Sequence, residues 1–224
     1  MRRIYWFILL NLLLLSLSAQ NGILEVGFDV DDSVLYSESM FQIAPRDQDG
    51  RLDYAWINSH NREYSEWITP TVTLVNFFIA QGHNVYFITA RQPVSGEELA
   101  ALLSEKFGIP VIVNKNLFFS PKETINGKRY TTKQRPMKTL GLDLYYGDSD
   151  NDMIAALKAD VHPVRLVRDQ TSIKAYGSNY FGNVNQGDQP GAPFSLEDLT
   201  LFYQHGVGIF GEAIYPLVWD GPQQ

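Results

Sequence analysis

Ile23-Leu24-Glu25-Val26-Gly27-Phe28-Asp29-Val30-Asp31-Asp32-Ser33-Val34-Leu35 passes from an apolar run straight into a cluster of acids. Residues 23–28 are short, apolar and rich in strand formers, as in a strand buried on both faces of a parallel sheet. Similar runs recur at residues 85–88, 111–113, 142–146 and 164–167. Helical patterns lie between them, at 71–80 behind Pro70, at 97–107, and at 152–158 behind a group of capping residues. This alternation predicts a doubly wound α/β fold with a parallel sheet, in which ligands bind beyond the carboxyl ends of the strands. Polar clusters stand at those ends. Asp29, Asp31, Asp32 and Ser33 follow the first strand, Thr89 and Arg91 the second, and Gly147, Asp148, Asp150, Asn151 and Asp152 the fourth.

The spacing of the acids has chemical meaning. A carboxylate at a strand end can act as nucleophile, and a second one two residues later can serve first as acid and then as base. An Asp-rich turn that stands alone is more often a solvated loop, but this one is accompanied by the other clusters. Two other readings of residues 147–152 fail on the residues themselves. Asp148, Asp150 and Asp152 open like a calcium-binding loop, yet its sixth position is Met153 rather than Gly and its twelfth is Ala159 rather than Glu. Gly147-x-Ser149 opens like a serine-hydrolase elbow, yet the fifth position is Asn151 rather than Gly.

Phe28-Asp29-Val30-Asp31-Asp32-Ser33 resembles the first motif of haloacid dehalogenase superfamily phosphatases, Asp-x-Asp-x-Thr or Ser after an apolar strand. Phe87-Ile88-Thr89-Ala90-Arg91 is similar to the second motif, Thr131-Thr132-Lys133 to the third, and residues 146–152 to the last, which carries magnesium ligands. At finer resolution the chain resembles class B acid phosphatases. The block from Phe28 to Tyr36 and the Thr89-Ala90-Arg91 step, where that family has Thr-Gly-Arg, carry the likeness across roughly residues 23–170.

The resemblance implies a haloacid dehalogenase-like, Rossmann-type fold with a small cap inserted after the first strand, at about residues 34–69. It implies Mg2+ as cofactor, held by the carboxylates of Asp29 and Asp148 and the backbone carbonyl of Asp31, with Asp152 orienting the shell. The expected roles are Asp29 as nucleophile, Asp31 as acid and base, and Lys133 and Thr89 as stabilisers of the phosphoryl oxygens. Thr89, Ala90, Arg91, Phe41 and Tyr64 are the expected substrate contacts, the two aromatics by rough alignment within the cap. Hydrolysis of small-molecule phosphate monoesters, phosphotransfer to alcohols and a homo-oligomer, a tetramer in the family, follow as further expectations. A non-catalytic ligand-binding or storage protein on this fold would be expected to have lost a motif carboxylate, and all of them are present.

Composition fits a single globular domain with an export signal. Of the 224 residues, 45% are hydrophobic and 13% aromatic, enough for a well-buried core. Arg2 and Arg3 precede an apolar stretch at residues 4–15, followed by Ser16, Ser18 and Ala19. That layout predicts a signal peptide at residues 1–19, because the stretch falls short of the ~20 residues that span a bilayer. A periplasmic or secreted protein with no membrane anchor after cleavage is the expectation. There is no Cys, so thiol chemistry and Cys-liganded zinc are excluded. A net charge of -7 argues against a nucleic acid polymer as partner. Residues 20–224 read as the phosphatase domain, with a Gly-, Asn- and Pro-rich insertion and tail at about 177–224.

Overall fold

The computed structural model describes residues 22–166 and 213–215. The expected leader at 1–19 and most of the insertion and tail at 177–224 lie outside the described residues. Among the described residues, no helix is long and apolar enough to cross a membrane.

Among the described residues the first element is β1 (Glu25–Phe28), after which residues 35–67 fold into a small insert. The insert contains a two-stranded antiparallel pair, β2 (Leu35–Tyr36) and β3 (Glu66–Trp67), around helices α1 (Glu38–Ile43), α2 (Tyr54–Ser59) and α3 (Asn61–Tyr64). It has its own core of Met40, Ala44 and Ile57, against which Phe41, Leu52, Tyr54 and Trp56 pack. Next come α4 (Thr69–Ala80), which starts on Pro70, then β4 (Asn84–Thr89), α5 (Gly96–Phe107) and β5 (Leu117–Phe119). A hairpin of β6 (Glu123–Ile125) and β7 (Lys128–Tyr130) follows. Its Asn126-Gly127 corner has positive φ at both residues, which suits the twist of a tight hairpin. The domain is completed by α6 (Gln134–Leu140), β8 (Leu144–Gly147), α7 (Asp150–Lys158), β9 (His162–Leu166) and β10 (Ala213–Tyr215).

The main sheet has the order β10-β9-β8-β1-β4-β5, and every neighbouring pair is parallel. From β1 the chain winds first to β4 and β5 and then back to β8 and β9, so the order reverses beside β1. That reversal is the switch point where open parallel sheets bind ligands. Alternation along β1 sets the two faces. Val26 and Phe28 point into a core shared with Val72, Val75 and Phe78 of α4 and with Leu99, Leu103 and Phe107 of α5. Gly27 points the other way, where a Cβ would come within 2.5 Å of Leu142 and 2.7 Å of Tyr145. Only glycine lets β1 lie against Tyr145, which belongs to the second core with Met137, Ala155 and Ala156. Fully burying a side chain such as Phe28 contributes about 1.5–3 kcal/mol.

One expected strand is not formed. Residues 111–113 follow Pro110 and turn instead, and the sheet takes β5 a few residues later. Asn116 builds the turn by accepting from the Ile112 N–H at 2.7 Å and donating to the Pro110 carbonyl at 2.9 Å. Asn114 completes it at φ 62. Val111 still enters the first core, which explains why the run is apolar without being a strand.

Candidate active site

The turn after β1 is tightly wound. The N–H groups of Val34 and Leu35 both donate to the Val30 carbonyl, and the Asp32 N–H donates to Leu35. Asp32 sits at φ 57, the left-handed region that Asp tolerates better than most residues. Strain of this kind persists where the surrounding structure enforces it. Here it brings Asp29, Asp31 and Asp32 to the wall of one cavity of about 310 Å3 at the carboxyl edge of the sheet.

Asp29, Asp148 and Asp152 each offer an oxygen, and the three oxygens lie within 4.8 Å of one another. All three residues are buried. Each has a support. The Val30 N–H donates to Asp29 Oδ1 at 2.7 Å, and Ser33 Oγ donates to Asp148 Oδ1 at 3.2 Å. Asp152 and Ser149 form a capping box at the start of α7, with Ser149 Oγ at 2.6 Å from Asp152 Oδ2. Gly147 makes this possible, because a Cβ there would lie 2.5 Å from Asp152 Cβ. Asp150 turns away from the trio to pair with Arg165, at 2.7 Å, in full burial. Arg165 also donates to the Asp148 carbonyl, so it ties the turn to β9.

Lys133 stands between two members of the trio. Its Nζ is 2.6 Å from Asp29 Oδ1 and 2.6 Å from Asp152 Oδ1. Burial alone would push the Lys133 pKa down, but the charges of Asp152 and Asp29 and their hydrogen bonds carry it above the usual lysine value. For Asp152, burial opposes ionisation, and Lys133 with Ser149 overcomes it, so its carboxyl stays below the ordinary range. Asp29 goes the other way. Burial first, and then the Asp152 and Asp148 charges, hold it well above the ordinary range despite Lys133. One ammonium among three buried carboxylates leaves negative charge uncompensated, and Asp29 carries that cost.

Asp31 is held by Arg91. The guanidinium donates Nε at 3.0 Å and Nη2 at 2.6 Å to its two oxygens. Burial pushes the Asp31 pKa up, but the Arg91 charge and hydrogen bonds, helped by Ser37, bring it below the ordinary value. Nη1 of Arg91 reaches Asn58 and Asn61 at 3.2 and 3.0 Å, so one buried arginine joins this edge of the sheet to helices α2 and α3. The Thr89 hydroxyl donates to Asp31 at 3.2 Å and accepts from the Arg91 N–H at 3.2 Å.

The structure thus brings Asp29, Asp31, Ala90, Arg91, Phe41, Lys133, Asp148 and Asp152 to one cavity. Thr89 lies directly behind it. The Asp31 carboxylate faces Arg91 and is not part of the oxygen trio. Tyr64 is not among the lining residues. It is 40% exposed and stacks on Trp56 with centroids 5.4 Å apart, whereas Tyr54 lines the cavity. Sequence reasoning did not single out Tyr54, Ser37, Asn58, Asn61, Lys122 or Arg165. Of these only Arg165, set between Val164 and Leu166 in an apolar run, leaves a signal in the sequence.

No family model matches the chain. The chain is 31% identical over 156 residues to the class B acid phosphatase of Xenorhabdus bovienii, covering 66% of this chain and 64% of that protein. It is 29% identical over 152 residues to the class B acid phosphatase of Salmonella typhimurium, covering 64% and 62%. It therefore spans a little under two thirds of the length of the curated relatives it matches. A haloacid dehalogenase family hydrolase from Deinococcus radiodurans, with bound phosphate and sodium, aligns at a TM-score of 0.42 and 10% identity, over 85% of this chain and 99% of that one. That likeness is too remote to bear on the site. Over the region compared in sequence, this chain is similar to class B acid phosphatases.

Proposed function

We propose that the chain is a magnesium-dependent acid phosphatase that hydrolyses phosphate monoesters through an aspartyl phosphate formed on Asp29. The observation that carries this reading is the buried oxygen trio of Asp29, Asp148 and Asp152 with Lys133 wedged between two of its members. The names of its sequence relatives support it.

The donor set fits magnesium. All three side chains offer oxygen, which a hard cation prefers. Three carboxylates and one ammonium leave a net negative site, and the raised Asp29 pKa is the sign of that imbalance. The Asn151 side-chain oxygen, on the same cavity, is buried without a hydrogen-bond partner among the described residues. Asp29, Asp148 and Asp152 would hold the ion, which lets the anionic phosphate approach an anionic nucleophile.

The remaining steps belong to the chain itself. An Asp29 oxygen attacks phosphorus in line, the bond to the leaving oxygen breaks, and Asp31 gives that oxygen its proton. Lys133 offsets charge on the transferring group, and Thr89 fixes Asp31 and the Arg91 backbone behind it. Asp31 then takes a proton from water, which attacks phosphorus and releases the Asp29 carboxylate. Arg91 favours the ionised Asp31 needed in this second half. The first half needs the protonated form, which acid pH supplies, as does transfer of the Arg91 N–H groups to the substrate. Phosphotransfer to alcohols, with an alcohol in place of that water, export and self-association belong to the same proposal through the family resemblance. The test is hydrolysis of p-nitrophenyl phosphate by the purified protein, which should vanish with EDTA and return with Mg2+. Full activity in metal-free protein would sink the reading.

A further inference from the structure

The cavity contains two cations that this chemistry does not use. Lys122, just before β6, and Arg129, in β7, both line it. The hairpin that carries them lies outside the main sheet. The other two cations of the cavity are committed: Arg91 to Asp31, Asn58 and Asn61, and Lys133 to Asp29 and Asp152. Lys122 and Arg129 make no hydrogen bond or ion pair through their side chains with any described residue. Lys122 is nevertheless half-buried, and burial, then Arg129 and Lys133, depress its pKa against the smaller opposing pull of Asp152 and Asp29. A half-buried charge facing like charges is costly unless an anion offsets it.

Depth says which anion. Asp29 is at the cavity floor, only 6% exposed, while Arg129 is exposed at the rim. In-line displacement places the leaving group opposite the nucleophile, and so toward the rim. The transferring phosphoryl already has Lys133 at the floor.

Resting on the phosphatase reading above, we propose that Lys122 and Arg129 form an anion subsite for the leaving group, selecting phosphate monoesters that bear a second anion, a carboxylate or another phosphate.

The test compares kcat/KM for propyl phosphate, 3-phosphooxypropanoate and propane-1,3-diyl bisphosphate at fixed ionic strength, with magnesium present. Wild type should prefer each anionic substrate to propyl phosphate by about tenfold or more, the effect of one charge-assisted contact. That ratio should fall toward one in Lys122→Gln with Arg129→Gln, and partly in each single variant. Because the readout is a ratio on protein that still turns over propyl phosphate, loss of folding cannot imitate it. Arg129→Gln, altered at an exposed position, serves alone if the double variant does not fold. A wild-type ratio near one would overturn the subsite and leave the phosphatase reading standing. A preference that survives in the variants, with equal losses on all three substrates, would assign the two cations to the transferring phosphoryl and overturn it as well. Failure of wild type to hydrolyse any of the three would overturn the phosphatase reading and the subsite together.

Discussion

Replacing Lys133 by Met removes an ammonium that is 2.6 Å from both Asp29 and Asp152 while nearly preserving side-chain length. All three residues are buried, so the change strands two carboxylates beside a third, Asp148, with no cation among them. Breaking a buried ion pair by deleting one partner costs about 3–5 kcal/mol. For a chain of this size that is a fall of roughly 6–20 °C in unfolding midpoint. The pH dependence follows from the two shifts. Lys133 is raised from 10.5, so its contribution is complete below 10.5 and is lost only as pH rises through the higher folded value. Asp152 is lowered from 3.8, so its contribution is complete well above 3.8 and is lost as pH falls through the still lower folded value. At pH 7 the wild type therefore has the full benefit. The variant can escape part of its cost on acidification, because Asp29 and Asp152 without Lys133 take up protons more readily. Urea unfolding in EDTA at pH 7 and pH 5 should show a large deficit at pH 7 and a smaller one at pH 5. Added Mg2+ should recover part of the loss at pH 7 by mass action. A deficit below about 1 kcal/mol at pH 7, the range of an exposed ion pair, would mean that Lys133 does not neutralise the trio.

Asp31→Asn should slow phosphorylation of Asp29 by about 10²–10⁴-fold, with the greater loss on an alkyl phosphate, whose alkoxide needs a proton, than on p-nitrophenyl phosphate. Equal losses in single-turnover kinetics would remove Asp31 from acid catalysis. Gly147→Ala places a methyl where Asp152 Cβ is 2.5 Å away, so Asp152 must shift from Ser149 and Lys133. Magnesium affinity, titrated by activity and by thermal shift, should fall by about 10–100-fold. Unchanged affinity would show that Asp152 has no part in the site.

The sheet and the acids at its edge were legible because both are local. Period, strand composition and position at a strand end are contained in a few consecutive residues, and they place Asp29, Thr89 and Asp148 on one edge without knowledge of the fold. The apolar stretch 111–113 misled because burial and strand pairing leave the same mark: Val111 is in the core but in a turn built by Asn116. Lys133 could be picked from a basic stretch only through the family likeness, since its two partners are 104 and 19 residues away in sequence. The same holds for Asn58 and Asn61 on Arg91 and for Arg165 on Asp150, contacts between distant segments that no local pattern encodes. In the insert the aromatics divided unpredictably. Tyr64 stacks on Trp56, and Tyr54, packed on the same small core, reaches the cavity.

The central claim is that the Asp29 carboxylate receives the phosphoryl group. Rapid acid quench of Asp31→Asn with p-nitrophenyl phosphate and Mg2+, followed by peptide mass mapping, tests it directly, because loss of the base should slow breakdown of the intermediate. The account predicts a burst of p-nitrophenolate matched by one phosphoryl group on Asp29 and absent when Mg2+ is withheld. A phosphoryl group on any other residue, or steady turnover with no phosphorylated protein at any quench time, would contradict it.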